Sequence, residues 1–170
     1  MTTAAPTKSL TVIRHSKAER DAATDHARPL APRGLRDAQA AGEWMAAHGP
    51  QPLVGLVSTA VRARQTWDAV EAPLDAETRA LDGLYGAGVD EVIETLHLLD
   101  EADVNVAVVG HNPTLEQLVW ELSDGTTAAH AEMADRGFPT SAIAVLRHSG
   151  AWHDLAAKSC ELTDFHVARG

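Results

Sequence analysis

Four side chains able to handle an anionic group stand at places where a short apolar run has just ended. Arg14 and His15 close the run Leu10-Thr11-Val12-Ile13. Ser58, with Arg62 four positions on, closes the run from Leu53. His111 follows Val104 to Val109 and Gly110. Arginine presents a planar fork of donors that matches phosphate oxygens and keeps its charge at any relevant pH. Histidine is a nucleophile when neutral and a charge-stabilising donor when protonated. A neutral His15 is therefore able to attack phosphorus in line and carry the phosphoryl group, while Arg14, Arg62 and a protonated His111 hold its oxygens as charge builds. Taken singly, each residue has an ordinary structural use: a hydrogen-bonded core histidine, a solvated helix arginine, a histidine shaping a turn. Their order at successive strand ends is what singles them out.

The elements that must position them follow from periodicity. The three apolar runs read as buried strands, and Ser141 to Leu146 reads as a fourth. Leu35, Ala38, Ala41 and Met45 recur at helical spacing up to Gly49-Pro50, a helix stop. Arg62 to Val70 forms a second helical segment, and Val89, Val92, Ile93, Leu96 and Leu99 mark a third. Leu115, Leu118, Val119 and Leu122 mark a fourth, opened by Asn112-Pro113-Thr114. Strands alternating with helices predict an α/β fold of three layers, α/β/α, around a mainly parallel sheet. Such sheets bind ligands beyond the carboxyl ends of their strands, where the four residues would meet.

The bulk properties narrow the classes. A chain of 170 residues, 45% hydrophobic and 22% charged, suits one globular domain, expected over 9–170 behind a short frayed leader at 1–8. A net charge of −10 argues against nucleic acid as a partner. No apolar stretch is long enough for a membrane span. Cys160 is the only cysteine, so there is no intrachain disulfide, which fits the cytoplasm, and no cysteine-based zinc site. His148 and His153, with Gly150 between them, read as surface loop residues rather than metal ligands. Asp100-Glu101-Ala102-Asp103 reads as a solvated turn, and the tail from Trp152 as an edge strand with a loose end.

Longer segments around the four residues carry a resemblance. Val12-Ile13-Arg14-His15-Ser16-Lys17-Ala18 resembles the arginine-histidine-glycine signature of the histidine phosphatase superfamily. Ser58-Thr59-Ala60-Val61-Arg62-Ala63-Arg64-Gln65-Thr66 resembles its second motif, and Val109-Gly110-His111-Asn112-Pro113 its second-histidine motif. Arg28-Pro29-Leu30 with Arg33-Gly34, and Pro139-Thr140-Ser141-Ala142-Ile143-Ala144, are similar to the SixA-like phosphohistidine phosphatase branch. The resemblance runs from about Leu10 to about Leu146. It implies a phosphoglycerate-mutase-like fold, no cofactor and no metal, His15 as the phosphate acceptor, and phosphate contacts from Arg14, Arg62 and His111. The substrate it implies is a phosphorylated protein or a small phosphorylated metabolite.

Two departures bear on the chemistry. Ser16 stands where most of the family has glycine; it costs strain if φ must be positive and otherwise adds a donor for the phosphate. The family's acid, which protonates the leaving group, would fall in Ala80 to Gly86, where Asp82 is a candidate acid or a plain turn residue, and Tyr85 a candidate donor or substrate contact. Arg28 either touches substrate at the pocket mouth or bonds a carbonyl. Arg64, two positions beyond Arg62 on a helix, should face elsewhere. A phosphomutase is disfavoured because the chain has little length for a closing insertion. A phosphoprotein-binding module would not need His15. No Gly-rich turn follows the first strand and no serine triad is apparent, which disfavours a dinucleotide enzyme and a serine hydrolase.

Overall fold

The apolar runs assemble into the centre of one six-stranded sheet. A computed structural model describes residues 7–51 and 54–170. The strands are β1 (Thr7–Arg14), β2 (Val54–Ser58), β3 (Glu77–Leu81), β4 (Asn105–Gly110), β5 (Ala142–Ser149) and β6 (Cys160–Val167), in the spatial order β3-β2-β4-β1-β5-β6. The helices are α1 (Pro32–His48), α2 (Val61–Glu71), α3 (Val89–His97), α4 (Thr114–Leu122) and α5 (Ala128–Arg136). β1, β2, β3 and β4 pair in parallel. β5 runs antiparallel to β1, and β6 antiparallel to β5. The sheet is thus mainly parallel, as expected, with an antiparallel edge.

Alternation along the strands divides the interior in two. Leu10, Val12, Leu56, Val108, Ala144 and Leu146 face a core shared with α3, α4 and α5, where Leu96, Leu118 and Met133 are buried. Ile13, Val57, Ala107, Val109, Ile143 and Val145 face the other core, filled by Ala41, Met45, Ala63 and Trp67 of α1 and α2. Both faces of the sheet are covered, which is why its central strands are apolar throughout rather than alternating.

Several expectations change in detail. Residues 1–6 of the expected leader, and Leu53 of the second run, lie outside the described residues. Thr7 and Lys8 are not leader but ladder residues of β1; Lys8 is fully buried and pairs with Glu101 at 3.1 Å. The acidic turn is exposed over Asp100 to Ala102, as expected, and it also anchors neighbours: Glu101 accepts from the Trp152 amide at 2.9 Å, and Asp103 pairs with Arg79 at 3.0 Å. His148 is buried in β5, its ring facing the carbonyls of Ala151 and Ser159. β6 is the edge strand expected in the tail. β3 and α5 are additional: β3 is a polar edge strand, and α5 buries only Met133. Among the described residues no helix is long and apolar enough to cross a membrane.

The first turn of α1 fixes the chain leaving β1. The Ala31 amide donates to the Lys17 carbonyl at 2.9 Å, and a Cβ on Gly34 would fall 2.0 Å from that same oxygen. A backbone oxygen held on both sides has no room to retreat. Gly34→Ala is expected to lower stability by about 1–3 kcal/mol, read as an earlier urea midpoint at unchanged slope.

Candidate active site

The carboxyl ends of β1, β2 and β4 bring the four predicted residues together. His15 directly follows β1, and its amide donates to the Gly110 carbonyl at the end of β4 at 3.0 Å. Its Nδ1–H donates to the Ser16 carbonyl at 2.8 Å. That bond fixes the tautomer, leaving the lone pair on Nε2. Arg62, in the first turn of α2, aims Nε at this Nε2 from 3.3 Å. The His15 and His111 rings lie 5.2 Å apart between centroids, and His111 Nε2 sits 2.8 Å from Ser58 Oγ. Arg14 Nη1 donates to the Phe138 carbonyl at 2.9 Å.

The polar atoms left over are concentrated here. Among the described residues, the buried side-chain nitrogens and oxygens without a hydrogen-bond partner are Arg14 Nε, His111 Nδ1 and Asn112 Oδ1. Buried polar groups are normally paired, so unpaired groups at adjacent strand ends mark a site shaped for something other than protein. A cavity of about 190 Å³ opens beside His111, lined by Leu84, Tyr85, Asn112 and Thr114 among others.

The remaining motif residues are scaffold. Thr66 Oγ1 accepts from the Ser16 amide at 2.9 Å and donates to the Arg62 carbonyl at 2.7 Å, linking nucleophile loop to arginine helix. Gln65 Oε1 accepts from the Leu30 amide at 2.7 Å. Ser141 donates its amide to the His15 carbonyl and its hydroxyl to Ser16 Oγ at 2.6 Å. These bonds hold Ser141 at φ 63°, an uncommon conformation for a residue with a side chain. Asn112 does not cap α4; its Nδ2 donates to Glu116 and to the Phe138 carbonyl.

Other candidates fall outside the cluster. Asp82 is exposed in the single 3-10 turn Asp82–Leu84, and no hydrogen bond or ion pair joins it to Arg14, His15, Arg62 or His111. Ser16 is fully buried, with its hydroxyl committed to Ser141 behind the nucleophile, and its φ is not positive. Serine in place of glycine therefore costs no backbone strain, and its oxygen accepts the Ser141 hydroxyl. Arg28 bonds the Glu19 carbonyl at 2.7 Å and Asp25 at 2.9 Å rather than turning into the pocket. Arg64 is exposed, as expected. Tyr85 does belong to the rim, edge-on to the His111 ring at 5.6 Å.

One residue of the cluster carries no signal in the sequence. Asp25 Oδ2 accepts from Arg62 Nη2 at 3.1 Å and from Tyr85 Oη at 2.7 Å, while Arg62 Nη1 donates to the Asp25 carbonyl at 2.7 Å. It lies in the polar segment between Ala18 and Arg28, where no periodicity marks a position. Neighbouring His26 contacts Thr59 at 3.0 Å and meets the Tyr85 ring edge-on.

Comparison with known proteins bears on the fold and the family. The profile of the histidine phosphatase superfamily (branch 1) matches residues 10–87. The phosphohistidine phosphatase SixA of Escherichia coli is 32% identical over 139 residues, 78% of this chain and 81% of that protein. The chain belongs to the histidine phosphatase superfamily. Within it, a structure from Nakamurella multipartitia assigned as a phosphohistidine phosphatase SixA superposes with a TM-score of 0.87 at 37% identity, covering 98% of this chain and 99% of that one. A Plasmodium falciparum phosphoglycerate mutase, 16% identical with a TM-score of 0.64 over 97% of this chain and 94% of its own, shares the fold. The phosphoglycerate-mutase-like architecture of this histidine phosphatase is therefore as expected.

The electrostatics of the two imidazoles follow from their burial beside the arginines. Burial, then His111, Arg62 and Arg14, push His15 down to about 3; burial, then Arg62 and Arg14, push His111 down to about 4. A neutral His15 is the nucleophilic form. His111 is held neutral as well in the free protein, because removing a cation from water beside two guanidiniums is unfavourable. Both imidazoles protonate near 6.5 in an unfolded chain, so below that pH the unfolded state binds more protons. Their contribution to stability is whole above about pH 6.5 and is lost progressively below it, completely once the pH has fallen through 4 for His111 and 3 for His15. Urea midpoints should fall between pH 7 and 4.5, less steeply in His15→Gln, and an NMR titration from pH 8 to 5 should show neither imidazole gaining a proton.

Proposed function

We propose that this histidine phosphatase removes the phosphoryl group from phosphohistidine borne on a protein, passing it through His15. The observation that carries the reading is the oriented nucleophile: Nδ1–H locked on the Ser16 carbonyl and Nε2 turned to Arg62. Nε2 attacks phosphorus, Arg62 and Arg14 hold the non-bridging oxygens, and the approaching anion raises the proton affinity of His111 so that it becomes a third cationic donor. The fixed cations do the electrostatic work often given to a metal, and water then releases phosphate.

Three features favour phosphohistidine over an alkyl phosphate. SixA proteins are among the relatives at 30% identity or more, whereas the metabolite-phosphatase and mutase structures that share the fold are under 20% identical. Asp82 stands outside the cluster, and a phosphoramidate needs less help from an acid than an alkoxide does. The rim carrying Asp25 and Tyr85 is open to solvent, which suits a phosphoryl group presented by a macromolecule.

His15→Ala should lose about a thousandfold or more in turnover while still binding inorganic phosphate; wild-type turnover in that variant would overturn the nucleophile assignment. In competition among a phosphohistidine protein, phosphoserine and sugar phosphates, the first should have the highest kcat/KM. Far better hydrolysis of alkyl monoesters would reject the substrate assignment. Excess chelator should leave the rate unchanged.

A further inference from the structure

The geometry points to Asp25 as the proton carrier for both halves of the reaction, an inference that rests on the phospho-His15 reading. Nε and Nη2 lie on one edge of the Arg62 guanidinium. Here Nε faces the nucleophilic atom of His15 at 3.3 Å, and Nη2 faces Asp25 Oδ2 at 3.1 Å. Such an edge is the one that grips two phosphate oxygens. A phosphoryl group attacked by Nε2 and held on that edge therefore lies against the Asp25 carboxylate.

Three donors from three segments hold this carboxylate: Tyr85 Oη and Arg62 Nη2 on Oδ2, and Arg28 Nη1 on Oδ1 at 2.9 Å. The Val61 amide donates to the His26 carbonyl at 3.0 Å, so the loop carrying Asp25 is tied to the first turn of the helix carrying Arg62. Tyr85 and Arg28, and then Arg62, keep Asp25 ionised, well below the usual carboxylate range. A phosphoryl group that takes over Arg62 removes one of these donors and adds a like charge. Both effects raise the proton affinity of the carboxylate. Its side chain is 54% exposed, which lets it reach a leaving atom on the solvent side. Glu116, the other carboxylate near the cluster, is occupied with Asn112.

The proton count closes. A bound phosphomonoester or phosphoramidate monoanion gives its P–OH proton to Asp25. Nε2 of His15 bonds to phosphorus, the bond to the leaving atom breaks, and that atom keeps the electron pair and takes the proton from Asp25. In the second half water attacks phosphorus and its proton passes to Asp25. The P–Nε2 bond breaks with its pair returning to His15, and Asp25 hands the proton to the departing phosphate. For a phosphohistidine substrate, the heavier duty of Asp25 is the second half.

Asp25→Asn keeps the side chain's shape and removes its capacity to carry a proton. With p-nitrophenyl phosphate, whose leaving group needs little protonation, the variant should phosphorylate itself within about threefold of the wild-type rate. It should then hydrolyse the intermediate at least about thirtyfold more slowly, giving a burst of one nitrophenolate per site and labelled protein stable to alkaline quench. With an alkyl monoester the first step should slow as well, and Asp25→Glu should restore part of both. Wild-type kinetics, or equal slowing of both halves without a burst, would overturn the proposal, the latter assigning Asp25 to the alignment of Arg62 alone. His15→Ala and wild type run in parallel separate the two ideas: label and turnover surviving in His15→Ala would sink the phospho-His15 reading itself.

Discussion

The hydrogen bond from His15 Nδ1 to the Ser16 carbonyl is the constraint on which the rest of the site depends. Without it the imidazole could place its proton on either nitrogen, and Arg62 Nε would meet a donor instead of a lone pair. The Ser16 carbonyl can serve only if the chain turns sharply after β1. That turn is held by the Ser16 amide on Thr66, the Ser141 hydroxyl on Ser16 Oγ, and the Lys17 carbonyl pressed against Gly34. Residues far apart in the chain thus act on one peptide group. Their work is orientation, which converts a common side chain into a directed nucleophile.

The antiparallel course of β5 contributes to the same end. Parallel strands deliver only their carboxyl ends to the site, whereas β5 starts there. The turn before it therefore lies beside His15, placing the Phe138 carbonyl where it receives both Arg14 and Asn112. A fully parallel sheet would have left that side of the guanidinium to solvent.

The central part of this organisation was legible in the residues. β1, β2 and β4 are covered on both faces, so they appear as unbroken apolar runs, and the residue after each run is by construction at the ligand-binding end. What stayed hidden lacks such a signal. β3 is a polar edge strand; α5 turns a single large apolar residue inward; the direction of β5 is not encoded in its apolarity. Lys8 looks like part of a polar leader but is buried because Glu101 neutralises it. Asp25 belongs to a segment whose position is set by contacts with Arg62 and Tyr85 rather than by its own pattern. Asp82 attracted attention because it falls in the right stretch of chain, yet its side chain joins nothing in the cluster.

The tie between the Val61 amide and the His26 carbonyl has a consequence for how such an enzyme can change. The nucleophile sits in densely packed scaffold, where nearly every substitution perturbs folding. The segment from Ala18 to Arg28 is mostly exposed, yet it is pinned to the helix that carries Arg62. Replacements at its exposed positions other than Asp25 would reshape what approaches the phosphorus without touching the buried core. Variation at those positions can therefore change what reaches the site at little cost to folding.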